Sequence, residues 1–459
     1  MSGIHRRSTV ALAAGGVGLA LVLAACSAPP TAGSGASGTS TAAVKPGCEA
    51  YASYGDLTGK TISVYTSIVA PEDQPQIDSY VPFEKCTGAK VTYEGSKEFE
   101  AQLRVRIQAG SAPDIAYIPQ PGLLASIVAD YPKAAIAAPA AVVKNVDKYY
   151  TPAWKQYGTV KGTLYASPLG ANVKSFVWYS PKAFATAGYT VPTTWQELLD
   201  LSDKIAATGT KPWCAGIGSG DATGWPATDW LEDLMLRTAG PDVYDKWVSH
   251  AIPFNDPAVA TALADVGKIL KNAKYVNGGF GDVRSIASTT FQEAGLPILS
   301  GKCLMSRQAS FYQANWPQGT TVAKDGDVYA FYFPGLTADA KPLLGGGEFV
   351  TAFSDRPEVQ AFRAYLSSPE WANAKAKATG LGWLSANNGL DVNLLQSPID
   401  KLSYALLTDK SYTFRFDGSD QMPGAIGADV FWKEMTNWLA NDKSDADVLN
   451  AIEAAWPKS

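Results

Sequence analysis

Thr61-Ile62-Ser63-Val64-Tyr65 alternates β-branched and aromatic residues with smaller ones, and the segments after it decide the fold. The spacing predicts a helix over 77–85, and then a second strand, Lys90-Val91-Thr92-Tyr93-Glu94. Gly95-Ser96 opens another helix, with Glu98 and Glu100 in a first turn where carboxylates suit the positive end of the helix dipole. Leu103 and Ile107 supply its buried stripe, Ala112-Pro113-Asp114 breaks it, and Ile115-Ala116-Tyr117-Ile118 is a third strand. Strands that alternate with helices imply an α/β protein built on a parallel sheet, with ligands at the carboxyl ends of its strands.

Further along, the helix signals sharpen. Thr194-Trp195-Gln196-Glu197 reads as a capping box, with Leu198, Leu201 and Ile205 on one face behind it. Arg356-Pro357-Glu358 starts a helix lined by Val359, Phe362 and Leu366. Phe431, Met435, Trp438 and Leu439 form a late stripe, and Ser444 caps a last helix that carries Val448 and Ile452.

Working outward to the start, His5, Arg6 and Arg7 precede an uncharged run of small and apolar residues over 9–25, which ends in Leu23-Ala24-Ala25-Cys26. A positive flank, a short apolar core and small residues before a cut site form an export signal, slightly shorter than a membrane-spanning helix. The ending resembles the lipobox of bacterial lipoproteins, which implies cleavage after residue 25 and lipidation of Cys26. Residues 26–47 are rich in Ser, Gly, Ala and Pro and read as a flexible tether. The expected place is the outer face of a bacterial cytoplasmic membrane, extracellular and held by the lipid alone.

The chain has 459 residues and a net charge of −5, and loss of the leader removes two arginines and no acid. That length exceeds one ordinary core, so two domains are expected. A mildly acidic balance without basic runs argues against nucleic acid and against a polybasic membrane surface. Thirteen tryptophans and 21 tyrosines suggest aromatic surfaces, although a large core also uses them. Besides Cys26 there are four cysteines, an even number that fits two disulfides in an oxidising compartment. Of three connectivities, Cys48–Cys86 and Cys214–Cys303 each join segments placed within one domain. Without a CxxC spacing, and with His250 the one histidine after the leader, neither a metal site nor a cofactor is expected.

Several segments together resemble the extracellular solute-binding proteins of ABC sugar importers, the maltose-binding-protein class. They are Ala112-Pro113-Asp114-Ile115 with Pro119-Gln120-Pro121-Gly122-Leu123, Val177-Trp178-Tyr179-Ser180-Pro181-Lys182-Ala183-Phe184, Val191-Pro192-Thr193-Thr194-Trp195-Gln196-Glu197-Leu198 and Lys211-Pro212-Trp213. The similarity runs from residue 58 to the end. It is strongest to the α-glucoside-binding branch, through Gly95-Ser96-Lys97-Glu98-Phe99-Glu100, Thr223-Gly224-Trp225-Pro226-Ala227-Thr228-Asp229-Trp230 and Gly345-Gly346-Gly347-Glu348-Phe349. The resemblance implies a two-lobed periplasmic-binding-protein-like α/β fold whose interlobe cleft closes on sugar by hinge bending and then docks on permease transmembrane subunits. Expected boundaries are 48–172 plus about 345–400 for lobe 1 and 173–344 plus about 401–459 for lobe 2. Crossovers are expected near 171–175, 343–348 and 400–410, short and unpacked. The expected ligand is a carbohydrate, an α-glucoside or oligosaccharide, and the expected state a monomer.

A sugar offers C–H faces that suit an aromatic ring and hydroxyls that donate and accept, so the cleft needs indoles beside planar charged groups. Trp225, Asp229 and Trp230 concentrate both, in what reads as a loop; a packing cluster is the alternative. Gly347 and Glu348 place a carboxylate beside glycines that permit close backbone approach, or simply form a turn. Glu98 and Glu100 either bind sugar or serve the helix dipole, and Gln120 directly follows a strand end. Arg307, four residues after Cys303, is a hydroxyl ligand or a surface ion pair. Arg415, Asp417 and Asp420 lie in a charged loop with aromatics, and Trp383 is a possible platform. Alignment of Met422-Pro423 with the same dipeptide in maltose-binding protein puts Trp432 on a sugar-stacking tryptophan, while its helix stripe equally explains it as core. Leu169-Gly170-Ala171-Asn172-Val173-Lys174 lacks the carboxylate that maltose-binding protein has there, so Asn172 or Lys174 takes its place.

The rival class is a secreted glycoside hydrolase acting on α-glucosides, since aromatic platforms and acids describe those sites too. No carboxylate pair stands out by position, and one histidine disfavours a Ser-His-Asp arrangement. Gly55-Asp56-Leu57-Thr58-Gly59-Lys60-Thr61 is one residue short of a phosphate-binding loop and precedes the first strand instead of following it.

Overall fold

The computed structural model describes residues 46–277 and 282–457. The leader, Cys26 and nearly all of the tether lie outside the described residues.

Two five-stranded sheets organise two lobes. The first runs in the order Lys90–Gly95, Thr61–Thr66, Ile115–Ile118, Phe349–Ala352, Ala166–Pro168. Its first three strands are parallel, as their separation by helices requires. Phe349–Ala352 is antiparallel to both neighbours, so the sheet is mixed, not purely parallel as the alternation suggested. That strand re-enters after the chain has built the second sheet, and so is free of the crossover geometry that keeps βαβ strands parallel. The second sheet, Val276–Asn277, Lys211–Cys214, Cys303–Arg307, Phe176–Tyr179, Tyr329–Tyr332, is mixed in the same way.

Pro342–Gly346 pairs with Thr413–Phe416 on one side and Asn172–Val173 on the other. Residues 342–346 and 172–173 are buried, which corrects the expectation that the segments near 171–175 and 343–348 do not pack. Residues 398–408, expected to hold part of a third crossover, are an α-helix. The helix expected over 77–85 is two, Asp73–Asp78 and Val81–Thr87, the second with Pro82 in its first turn. Phe99–Gln108 begins one residue after Glu98, which is its N-cap residue but makes no side-chain cap bond.

The capping box at Thr194 and Glu197 forms, and Leu198, Leu201 and Ile205 are buried behind it. Phe431, Met435, Trp438 and Leu439 bury one face of Phe431–Ala440. Trp178, Trp213, Trp247, Trp371 and Trp438 are fully enclosed, so much of the tryptophan content is core. Backbone also meets backbone without side chains between. A Cβ on Gly122 would strike the Met422 carbonyl, and one on Gly427 the Ser419 carbonyl.

Disulfides join Cys48 to Cys86 and Cys214 to Cys303, each with Cα atoms 5.4 Å apart. The second ties two neighbouring strands of the second sheet across 89 residues of chain. Replacing Cys214 and Cys303 together by alanine is expected to cost about 2–4 kcal/mol of stability, because the unfolded chain is no longer constrained. Urea denaturation of the variant beside the unaltered protein checks this.

Candidate functional site

Three parallel strands of the first sheet end at one cleft. Ser67, Ile68 and Glu72 follow Thr61–Thr66, Glu100 sits on the helix after Lys90–Gly95, and Gln120 follows Ile115–Ile118. The second lobe supplies Ser219 and Ala222 after Lys211–Cys214, and Phe311 after Cys303–Arg307. Carboxyl ends of parallel strands leave backbone ends open for loops, so ligands settle there. The cavity between them measures about 150 Å³.

Of the residues singled out in the sequence, Glu100, Gln120, Lys174, Trp225, Gly347, Glu348, Asp417, Asp420 and Trp432 line this cavity, with Asn172. Trp383 lines an adjoining hollow. Glu98 stands exposed outside it, and Arg415 pairs with Asp245 at 2.6 Å on the outer surface. The stretch 225–230 is not a loop: it opens the helix Trp225–Thr238. Helical spacing leaves Trp225 half-buried at the cleft and turns Asp229 and Trp230 inward. Trp230 packs edge-on against Trp213 at 5.3 Å and Phe333 at 5.6 Å. Trp225 leans on Phe291, 5.0 Å between centroids, and Phe311, 6.1 Å, to make an aromatic wall.

Beneath the cavity runs a chain of buried charges. Lys174 Nζ donates to Asp229 at 3.0 Å and to Asp417. Arg307 lies 3.5 Å from Asp229 and donates to Asp233 through Nε at 2.9 Å and through Nη2. Asp233 also accepts from Arg237 at 2.6 Å and from Ser175 Oγ at 2.6 Å. Arg307 is therefore neither a surface pair nor exposed to the cavity; it holds Asp229 from behind. Asp229, Glu232 and Asp417 bring carboxylate oxygens within 4.8 Å of one another, and the Lys174 ammonium bonds two of the three.

These contacts set the protonation. Burial pushes the Asp417 carboxyl up, but the Lys174 charge and its hydrogen bond outweigh it and hold it at about 2. Burial raises Asp229 to about 7 against the pull of Lys174 and Arg307. Burial, and then the negative Asp417, push Asp420 well above the carboxylate range. An acid kept protonated at a cavity wall can donate as well as accept. Burial likewise raises Glu100, whose Oε1 accepts from Gln120 Nε2 at 3.0 Å.

Gln120 Oε1, Asn172 Oδ1, Gln292 Oε1 and Trp432 Nε1 are buried at this cavity without a hydrogen-bond partner. Trp432 is 3% exposed, so it is core by area, yet it also lines the site. Sequence reasoning missed Gln292 and Phe311, which carry no local signal: the first lies in the one-turn helix Phe291–Ala294 and the second in the 3-10 helix Ser310–Asn315, on either side of Cys303–Arg307. At the mouth, the Asp221 N–H donates across the lobes to the Lys97 carbonyl at 3.2 Å.

Two measurements test the buried charges, the first in this network and the second apart from it. Arg307→Met is expected to destabilise the fold by about 3–5 kcal/mol, since it strips partners from two buried carboxylates; chemical denaturation reads this. Asp400, which accepts from Gln313 Nε2 at 2.6 Å and from the Gly382 N–H at 3.2 Å, is raised to about 7 by burial. The folded state then binds more protons than the unfolded one between about pH 4 and 7, so this group's contribution is full below pH 4 and is lost as pH rises through 7. Asp400→Asn should flatten that part of the stability profile, measured by thermal unfolding across pH.

Residues 61–373 match the family of bacterial extracellular solute-binding proteins. The chain is 38% identical to the alpha-glucosides-binding periplasmic protein AglE of Rhizobium meliloti, over 87% of this chain and 88% of that one. It is 36% identical to the osmoprotective compounds-binding protein GgtB of Synechocystis, over 90% and 96%. Its fold is similar to that of the bacterial solute receptor AcbH, with a TM-score of 0.70 at 19% identity, over 86% of this chain and 98% of that one. A two-sheet α/β body with its cleft at the strand ends, and a match of this extent, make the chain a member of the bacterial extracellular solute-binding proteins, which bind and do not catalyse.

Proposed function

We propose that the cleft captures a carbohydrate, an α-glucoside in particular, and that the chain delivers it to the permease subunits of an ABC importer. The observation that carries this reading is the set of unpartnered buried atoms, Gln120 Oε1, Asn172 Oδ1, Gln292 Oε1 and Trp432 Nε1, beside the Trp225 wall. A buried amide or indole without a partner costs free energy, and a polyhydroxylated ring supplies both donors and acceptors to it. A strongly anionic ligand would meet the ionised Asp417 carboxylate and find Lys174 already paired with Asp229 and Asp417. A neutral sugar meets no such opposition. AglE, by its name an α-glucoside binder, is a relative over most of the chain, which supports the same class.

In this reading lobe 1 comprises 48–172 with about 345–400 and lobe 2 comprises 173–344 with about 401–459, and hinge closure brings their walls together on the ligand. In this reading the chain acts as a monomer. Cys26 carries the lipid that holds the body at the outer membrane face through the tether. Among the described residues no helix is long and apolar enough to cross a membrane.

A thermal-shift screen of the purified chain against mono- and disaccharides tests this, with the sugars checked afterwards by chromatography. An α-glucoside should raise the melting temperature and remain intact, because a ligand that binds only the folded state stabilises it by mass action. Trp225→Ala should weaken that binding about ten-fold or more, since a desolvated aromatic face is lost. No shift with any carbohydrate would overturn the assignment.

A further inference from the structure

At the rim of the cavity the two lobes touch through a braced turn. Residues 219–223 of the second lobe fold back on themselves. The Thr223 N–H donates to the Gly220 carbonyl at 3.1 Å, Thr223 Oγ1 donates to the same carbonyl at 2.6 Å, and the Ser219 N–H donates to Thr223 Oγ1 at 3.0 Å. The Trp225 N–H then donates to the Ala222 carbonyl at 3.2 Å, so the turn runs straight into the aromatic wall. From the first lobe comes Lys97, between Lys90–Gly95 and the helix Phe99–Gln108. Beside the hydrogen bond from Asp221, Gly220 rests directly on this residue. Its φ is +61°, and a Cβ there would stand 2.7 Å from the Lys97 carbonyl oxygen and 2.8 Å from the Lys97 Cβ. Lys97, Ser219 and Ala222 line the cavity, so a swing that opens the cleft parts this contact.

Charge sits on top of that main-chain contact. Glu98, next after Lys97, is exposed, and its carboxyl meets the Asp221 carboxyl across the rim. The hydrogen bond between them, and then the Asp221 charge, raise Glu98 above the usual glutamate range. The Asp221 charge also acts on Glu100, which is raised chiefly by burial. Lys97 and Glu100 flank Glu98 on its own segment, and Asp221 faces it from the other lobe. Two carboxylates brought together by closure oppose it, unless one is protonated and donates to the other.

We propose that Gly220 and Asp221 form a clasp that holds the cleft shut on Lys97, and that closing it loads a proton from solvent onto Glu98, so that sugar is held more tightly in acid than in neutral surroundings. This rests on the carbohydrate and hinge-closure reading given above. Opening separates Glu98 from Asp221 and returns it to its ordinary value, about 4.3. From there up to the raised value the closed form binds more protons than the open one. Closure is therefore favoured as pH falls through that window, and the advantage is lost as pH rises out of it.

The test is calorimetric titration of the full chain with maltose, sucrose and trehalose at about pH 7.5 and about pH 5.5, in buffers of different ionisation enthalpy. Glu98→Gln, Asp221→Asn and the double variant are compared with the unaltered chain; the buried acids of the cavity remain in all four, so the difference belongs to the pair. On acidification the dissociation constant of the unaltered chain should fall about two- to five-fold more than that of any variant, the size expected of an exposed charged pair, with greater proton uptake on binding. The three variants should match one another, since either change removes the pair. The same pH response in all four chains, or additive effects, overturns the proton linkage. Gly220→Ala, its fold checked by thermal unfolding, should weaken binding about five-fold or more at both pH values, because its methyl group strikes the Lys97 main chain. Unchanged affinity there overturns the clasp. If none of these sugars binds the unaltered chain, the carbohydrate reading falls, and X-ray scattering without sugar still decides on the pair. Acidification should then shrink the radius of gyration of the unaltered chain and not of the variants, and an equal response overturns the inference.

Discussion

The structure turns on how Lys174 is neutralised. A buried ammonium is costly unless it is paired and hydrogen-bonded. Here it is paired with Asp229 from the helix Trp225–Thr238 and with Asp417 from the segment after Thr413–Phe416. Each partner then needs its own support, Asp229 from Arg307 and Asp417 from Ser419 and the Asp420 N–H. Strand, helix and C-terminal segment are thereby fixed to one another at the cavity wall, where Lys174 and Asp417 face the ligand space. Position and charge at the site thus depend also on Asp229 and Arg307, which do not line it.

The aromatic residues divide the same labour. Trp213 and Trp230 lie edge to face inside the second lobe and hold the Trp225–Thr238 helix against its sheet. Five residues before Trp230, Trp225 points instead to the cleft and leans on Phe291 and Phe311. One helix thus carries a core indole and a cleft indole. The difference between them is angular position around the helix, not residue type.

That also explains what the sequence made legible. Strand and helix order, the capping box at Thr194, the stripes ending at Leu366 and Leu439, and the cavity position of Gln120 could be read, because period, caps and strand ends are local signals, whereas Glu348 and Trp432 were singled out through the family resemblance. The antiparallel return of Phe349–Ala352 could not, since pairing is decided by a partner far along the chain. The loop assigned to 225–230 failed because prolines and glycines mark a helix start as readily as a turn. Glu98 and Arg415 have the right chemistry for sugar, but only tertiary placement shows that they lie outside the cavity.

The bare contacts at Gly122 and Gly427 bear on inheritance. Where carbonyl oxygens of Met422 and Ser419 rest on α-carbons, the spacing of two segments is set by main chain, which every sequence shares. Neighbouring side chains can then drift without moving the frame, provided those two glycines stay. The walls of the pocket can then change their chemistry while the frame that carries them is kept.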